Sequence, residues 1–135
     1  MARSGKRWVY TPAKPSVVPE ALKQQVSVKV ADLVEQHIKP KHVEPPPKTP
    51  QFNYIVDIYT KWRGGSLYFI ARYASPGPNS IAPFFETGFA RIEYAGNERF
   101  HLAYFRHTGK WWQVHFDLTL DEALDFIKDG GIFQP

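Results

Sequence analysis

The sequence predicts an α+β fold, a five-stranded antiparallel meander sheet with an N-terminal and a C-terminal helix on one face. Three observations carry this reading. Apolar residues recur at three- and four-residue intervals over residues 19–39, the signature of one helical face. From Phe52 to Phe116 the period changes to two, with Gly-containing turns breaking the run. At Thr119 a capping box, with Glu122 three residues on, opens a second helical pattern.

Residues 1–15, MARSGKRWVYTPAKP, have no periodicity and read as a basic extended arm ahead of a single domain over 16–135. Arg3, Lys6, Arg7 and Lys14 stand there without an acid. Trp8 and Tyr10 must either pack back on the domain or insert into a partner.

In the first helix, Pro19 suits the opening turn, where its missing N–H costs nothing, and Glu20 favours the positive end of the dipole. Leu22, Val26, Val30, Leu33, Val34 and Ile38 form the apolar stripe. Pro40 is expected to stop the helix, because the residue before a proline avoids the α region. His37 and His42 flank that stop and read as cationic caps. Residues 40–50 form a Pro-rich spacer of polyproline character leading to the sheet over 52–116.

The Gly64-Gly65 turn sets the first strand pairing. Trp62 falls opposite Leu67, Thr60 opposite Phe69, Ile58 opposite Ala71 and Val56 opposite Tyr73. The other side pairs Lys61 with Tyr68, Tyr59 with Ile70, and Asp57 with Arg72 as opposite charges. Phe84–Tyr94 is the third strand, with Gly88 marking a bulge or a close approach. A Gly96-Asn97 turn predicts Ile92 beside His101, Ala90 beside Ala103, Gly88 beside Phe105, Phe89 beside Tyr104, and Arg91 beside Leu102. The last turn, His107–Lys110, predicts Phe105 beside Trp112, Ala103 beside Val114, Arg106 beside Trp111, and Leu102 beside His115.

Those pairings assign Ile58, Phe69, Ala90, Ile92, Ala103, Phe105, Trp112 and Val114 to the helix-covered face. Tyr59, Tyr68, Phe89, Arg91, Leu102, Tyr104, Arg106 and Trp111 fall on the other. A final helix over 119–129 turns Leu120, Ala123, Leu124 and Ile127 inward and ends at Gly130 and Gly131, with Ile132 and Phe133 closing over the core.

The net charge of +4 is uneven: residues 1–50 carry nine Lys and Arg against four acids, residues 51–135 eight against nine. A basic arm on a near-neutral body points to a polyanion. The chain has no Cys, which removes disulfides, thiol nucleophiles and cysteine zinc sites. Its N-terminus lacks the apolar stretch of a signal peptide, and the chain reads as cytoplasmic, with no membrane partner.

Histidine spacings fit no metal site, no Gly-rich phosphate loop precedes a helix, and no cofactor is expected. The aromatic content of 16 %, interleaved with Arg on strand positions, points to stacking on single-stranded DNA or RNA. The expected function is therefore a non-enzymatic binding module. Arg3, Lys6, Arg7 and Trp8 would attract the strand, and Tyr59, Tyr68, Arg91, Tyr104, Arg106, Lys110 and Trp111 would hold it. The same face suits a homodimer or a protein partner equally well. A third reading is a small-ligand protein or enzyme, with a pocket between sheet and arm holding His107 or His115 beside a carboxylate.

The stretch FARIEYAGNERFHLAYFRHTGKWWQVH resembles a family of short bacterial domains of unknown function, through Arg91, Tyr94, Tyr104, Arg106, Gly109, Lys110 and Trp111. The resemblance implies a strand–turn–strand unit ending in G-K-W and brings no activity with it.

Overall fold

A computed structural model describes residues 17–48 and 52–135. The arm residues Arg3, Lys6, Arg7 and Trp8 lie outside the described residues, as does the end of the Pro-rich spacer. Helix α1 (Glu20–Leu33) runs through a π-helical turn (Val34–Ile38) into a short α2 (Lys39–His42). Strands β1 (Tyr54–Arg63), β2 (Ser66–Ala74), β3 (Phe84–Gly96), β4 (Arg99–Phe105) and β5 (Trp111–Leu118) follow, then α3 (Leu120–Asp129) and a 3₁₀ turn (Gly131–Phe133). The strands form one sheet in sequence order, every pair antiparallel.

The stripe of α1 packs as its spacing requires, with Val26, Val30, Leu33, Val34 and Ile38 buried. Pro40 does not stop the helix. The Lys39 N–H bonds the Val34 carbonyl, five residues back. The wider turn lets the helix restart with Pro40 in a first turn, where no proline N–H is needed. Nor is His42 held as a cation: burial first, and Lys41 second, lower its pKa.

Polar contacts then tie the helices to the sheet and to each other. Trp62 Nε1 donates to Ser27 Oγ at 2.9 Å, and Lys29 meets Asp121 of α3 at 3.1 Å. Lys39 bridges Glu35 at 2.7 Å and Asp57 of β1 at 3.2 Å, which raises its pKa, the Glu35 hydrogen bond contributing most.

The β1–β2 register is the expected one from Asp57–Arg72 to Arg63–Ser66, with Gly64 at φ +60° in the turn. Beyond it a bulge places Ile55, not Val56, opposite Tyr73. Asp57 and Arg72 are opposite but form no ion pair. The carboxylate accepts from the Ile58 N–H and meets Lys39, while the Arg72 guanidinium lies 4.6 Å from the Phe84 ring.

The β3–β4 pairing differs by one residue from expectation. Asn97 and Glu98, with φ of 51° and 57°, are the turn residues, so Ile92 faces Leu102, Arg91 faces Ala103, Ala90 faces Tyr104 and Glu93 faces His101. On β4–β5, Phe105 faces Trp111, Tyr104 faces Trp112 and Ala103 faces Gln113, each one residue off. A register shift beyond them restores the expected Leu102–His115 pair.

A one-residue slip exchanges faces. Leu102 and Tyr104 therefore belong with the helix-covered core, and Phe89 joins them as the extra residue of a bulge between the Phe69–Ala90 and Ile70–Gly88 pairs. Phe105 and Ala103 move to the open face. Trp112 keeps the helix side, opposite Tyr104, yet remains 48 % exposed. Helix α3 closes the core with Ala123, Leu124 and Ile127, and Phe133 is buried behind it. Its capping box forms as read, Thr119 accepting from Glu122 N–H at 3.2 Å and Glu122 from Thr119 N–H at 2.8 Å. Gly130 and Gly131 both end it with positive φ.

Candidate nucleic-acid interface

The open face of the sheet is built by alternation from the strand register. Lys61 pairs with Tyr68, which pairs with Arg91; Tyr59 pairs with Ile70, which pairs with Gly88. The expected residues Tyr59, Tyr68, Arg91 and Trp111 thus share this face. Tyr104 leaves it, its ring meeting Phe133 edge-on at 6.3 Å on the helix side. Arg106 leaves it too, lying 4.5 Å from the Trp112 ring. Lys110 is exposed in the β4–β5 turn. Of the expected four-residue group Arg91, Tyr104, Arg106 and Trp111, the fold brings together Arg91 and Trp111.

Trp111 reaches across β4 to lie over Gly88 of β3. A Cβ at Gly88 would stand 2.9 Å from the Trp111 ring, so only glycine admits that approach. A bulge between Phe69–Ala90 and Ile70–Gly88 accompanies it. Tyr68 meets Trp111 edge-on at 5.4 Å, and Phe105 meets it at 5.2 Å. The Arg91 guanidinium lies 5.1 Å from the Trp111 ring and 5.9 Å from Tyr68, in cation–π contact with both. Its Nε is buried without a hydrogen-bond partner.

These rings wall a pocket of about 210 Å³ with Ile70 and Gly88 in it and Lys61 and Arg63 beside them. No carboxylate lines it. Neighbouring acids are engaged elsewhere: Glu93 accepts from Gln113, and Asp57 is held by Lys39. Burial, and Glu86 beside the hydroxyl, raise the pKa of Tyr59. Among the described residues, Lys61, Arg63 and Arg91 have no ion-pair partner. Two cations, Lys61 and Arg63, and two aromatic rings therefore line one hollow that has no carboxylate in its wall, with Arg91 against the same rings.

Sequence reasoning passed over Lys61 and Arg63. The signal was present in the alternation Tyr59, Lys61, Arg63 along β1, whose register was read correctly. A larger hollow of about 460 Å³ lies between α1 and α3, but Asp32, Asp121 and Asp125 offset Lys29 and Lys128 there. His115 stacks on Phe126 at 3.9 Å, and His107 is exposed in a turn. Among the described residues no group of three or more His, Asp or Glu is placed to hold a metal ion, and no helix is long and apolar enough to cross a membrane.

Residues 18–135 match the family described as Domain of unknown function (DUF3024). The chain belongs to this family. Neither the curated proteins nor the solved structures give a match to it. The family match spans all three helices and the whole sheet, including the Pro-rich segment.

Proposed function

We propose that this DUF3024 domain is a non-enzymatic binding module for single-stranded nucleic acid, and that the strand docks on the open sheet face. The observation that supports this reading most is the hollow bounded by Lys61, Arg63, Tyr68 and Trp111, which has no acid in its lining. Bases stack on aromatic rings regardless of sequence, each worth ~1–3 kcal/mol, while cations follow the phosphates. Sheet faces with exposed rings serve RNA-binding modules in the same way.

The test is anisotropy of a labelled single strand titrated with the full chain at several salt concentrations. Contacts to two or three phosphates give a slope of log affinity on log salt of roughly −1 to −2. Trp111→Ala and the pair Lys61→Ala with Arg63→Ala each weaken binding. Binding that ignores salt and both variants contradicts the proposal.

A second reading draws on Phe105 and Phe116, 37 % and 57 % exposed on or beside the same face. Such rings suit a protein partner or a second copy of the chain. A stable dimer in light scattering, broken by Phe116→Asp, favours that reading.

A further inference from the structure

We infer that the pocket recognises a phosphomonoester, the terminal phosphate of a strand, in preference to the phosphodiesters inside one. The inference rests on the nucleic-acid reading above and narrows it.

Charge and placement carry the argument. Lys61 and Arg63 are two residues apart on β1 and so point to the same side of the sheet. β1 is an edge strand, which puts both cations at the rim of the pocket. The rings of Tyr68 and Trp111 lie further in, and Ile70 and Gly88 complete the lining. A nucleotide entering from the rim places its base against the rings and its phosphate between the two cations.

An internal phosphodiester brings one negative charge to that position. A terminal phosphate brings about −1.5 to −2 at pH 7 and three acceptor oxygens. The arginine fork takes two oxygens at once and the lysine serves as a point charge for the third. Two cations without a neutralising acid match the monoester, and Arg91 adds positive charge behind the rings.

Size and polarity point the same way. At about 210 Å³ the pocket is smaller than the ~300–1,000 Å³ that accepts drug-sized ligands, and it holds one nucleotide unit at most. Its uncharged polar side-chain groups are the Tyr68 hydroxyl and the Trp111 indole N–H. Amides and carboxylates, the groups that pair with base edges, do not line it, so the base is held by its face and not by its identity.

The experiment uses the full chain and a short labelled oligothymidine carrying a phosphate on one end, on the other end, or on neither. Thymidine monophosphate and inorganic phosphate serve as competitors. One phosphate-ended strand is expected to bind about tenfold tighter than the hydroxyl-ended strand, the worth of one charge-assisted contact. The nucleotide competes for that advantage better than inorganic phosphate, because the rings contribute. The advantage fades between about pH 7.5 and pH 5.5, as the second phosphate proton, with pKa about 6, returns.

Lys61→Gln with Arg63→Gln brings the phosphate-ended strand to the level of the hydroxyl-ended one. Both residues are exposed, so the variant folds. Equal affinity for all three strands overturns the terminal-phosphate inference and leaves the proposed binding face standing. No binding by any strand, with the nucleotide still bound, overturns the strand reading and assigns the monoester site to free nucleotides. No binding of strand or nucleotide overturns both.

Discussion

The two faces of the sheet use the same kinds of residue for different ends. On the covered face Phe69 and Phe100 are almost wholly buried, Phe89 meets Phe69 edge-on at 6.0 Å, and among the described residues no polar side chain is buried with them. On the open face Tyr68 and Trp111 are half-buried, braced by Arg91 and flanked by unpaired cations. Burial of the first set stabilises the fold at ~1.5–3 kcal/mol per ring. In the second set, among the described residues, Lys61, Arg63 and Arg91 have no ion-pair partner and the Arg91 Nε is buried without a hydrogen bond. The difference teaches that rings on the covered face are held by apolar packing, whereas rings on the open face are held by an arginine and by one another, the arrangement on which the proposed binding rests.

Substitutions on the two faces should therefore separate stability from binding. The largest effect is expected at Phe69, fully buried in the core. Phe69→Ala should cost about 3–5 kcal/mol in urea unfolding, with little change in strand affinity per folded molecule. Gly88→Val comes next. Its side chain must displace Trp111, which Tyr68, Phe105 and Arg91 hold in place, at a cost of about 1–3 kcal/mol. This variant touches both properties, and a changed Trp111 indole resonance in NMR reports the displaced ring.

Thr119→Ala removes the α3 cap on the covered side and should cost about 1 kcal/mol. The capping hydrogen bonds depress the Glu122 pKa below its ordinary value of 4.5. Their contribution is present above that value and is lost as pH falls through the lowered folded-state pKa. Urea unfolding of Glu122→Gln and the parent should converge in acid below that range, whereas the loss in Thr119→Ala persists there, because its missing hydroxyl accepted from a backbone N–H. The smallest stability effect is expected for Arg91→Met, within about 1 kcal/mol, because only cation–π contacts are lost. Its affinity for a strand should fall nonetheless. A large loss of stability with unchanged affinity would make Arg91 a structural residue and erase the contrast between the faces.

Much of this arrangement was legible from residue order. The α1 stripe, the Gly64-Gly65 hairpin, the Thr119 capping box and the close approach at Gly88 follow from local chemistry, and the structure has each. What went astray was register. Ala95-Gly96-Asn97-Glu98 admits more than one two-residue loop, and the choice made by left-handed Asn97 and Glu98 moves Tyr104 from the open face to the covered one. The shift within β4–β5 lies beside the stack of His115 on Phe126, a contact between a strand and a later helix. No local pattern reports such a contact. The site was half legible for the same reason. Tyr59, Tyr68, Arg91 and Trp111 were placed on the open face, while Lys61 and Arg63, in the same β1 alternation, were not counted among the site residues.

The most direct test of the account is strand affinity measured over a series of salt concentrations for the parent and for Lys61→Gln with Arg63→Gln. The account expects the parent's log affinity to fall with log salt at a slope of roughly −1 to −2, and the variant to bind more weakly with a slope near zero. Parent and variant binding alike, with one salt dependence, would contradict it.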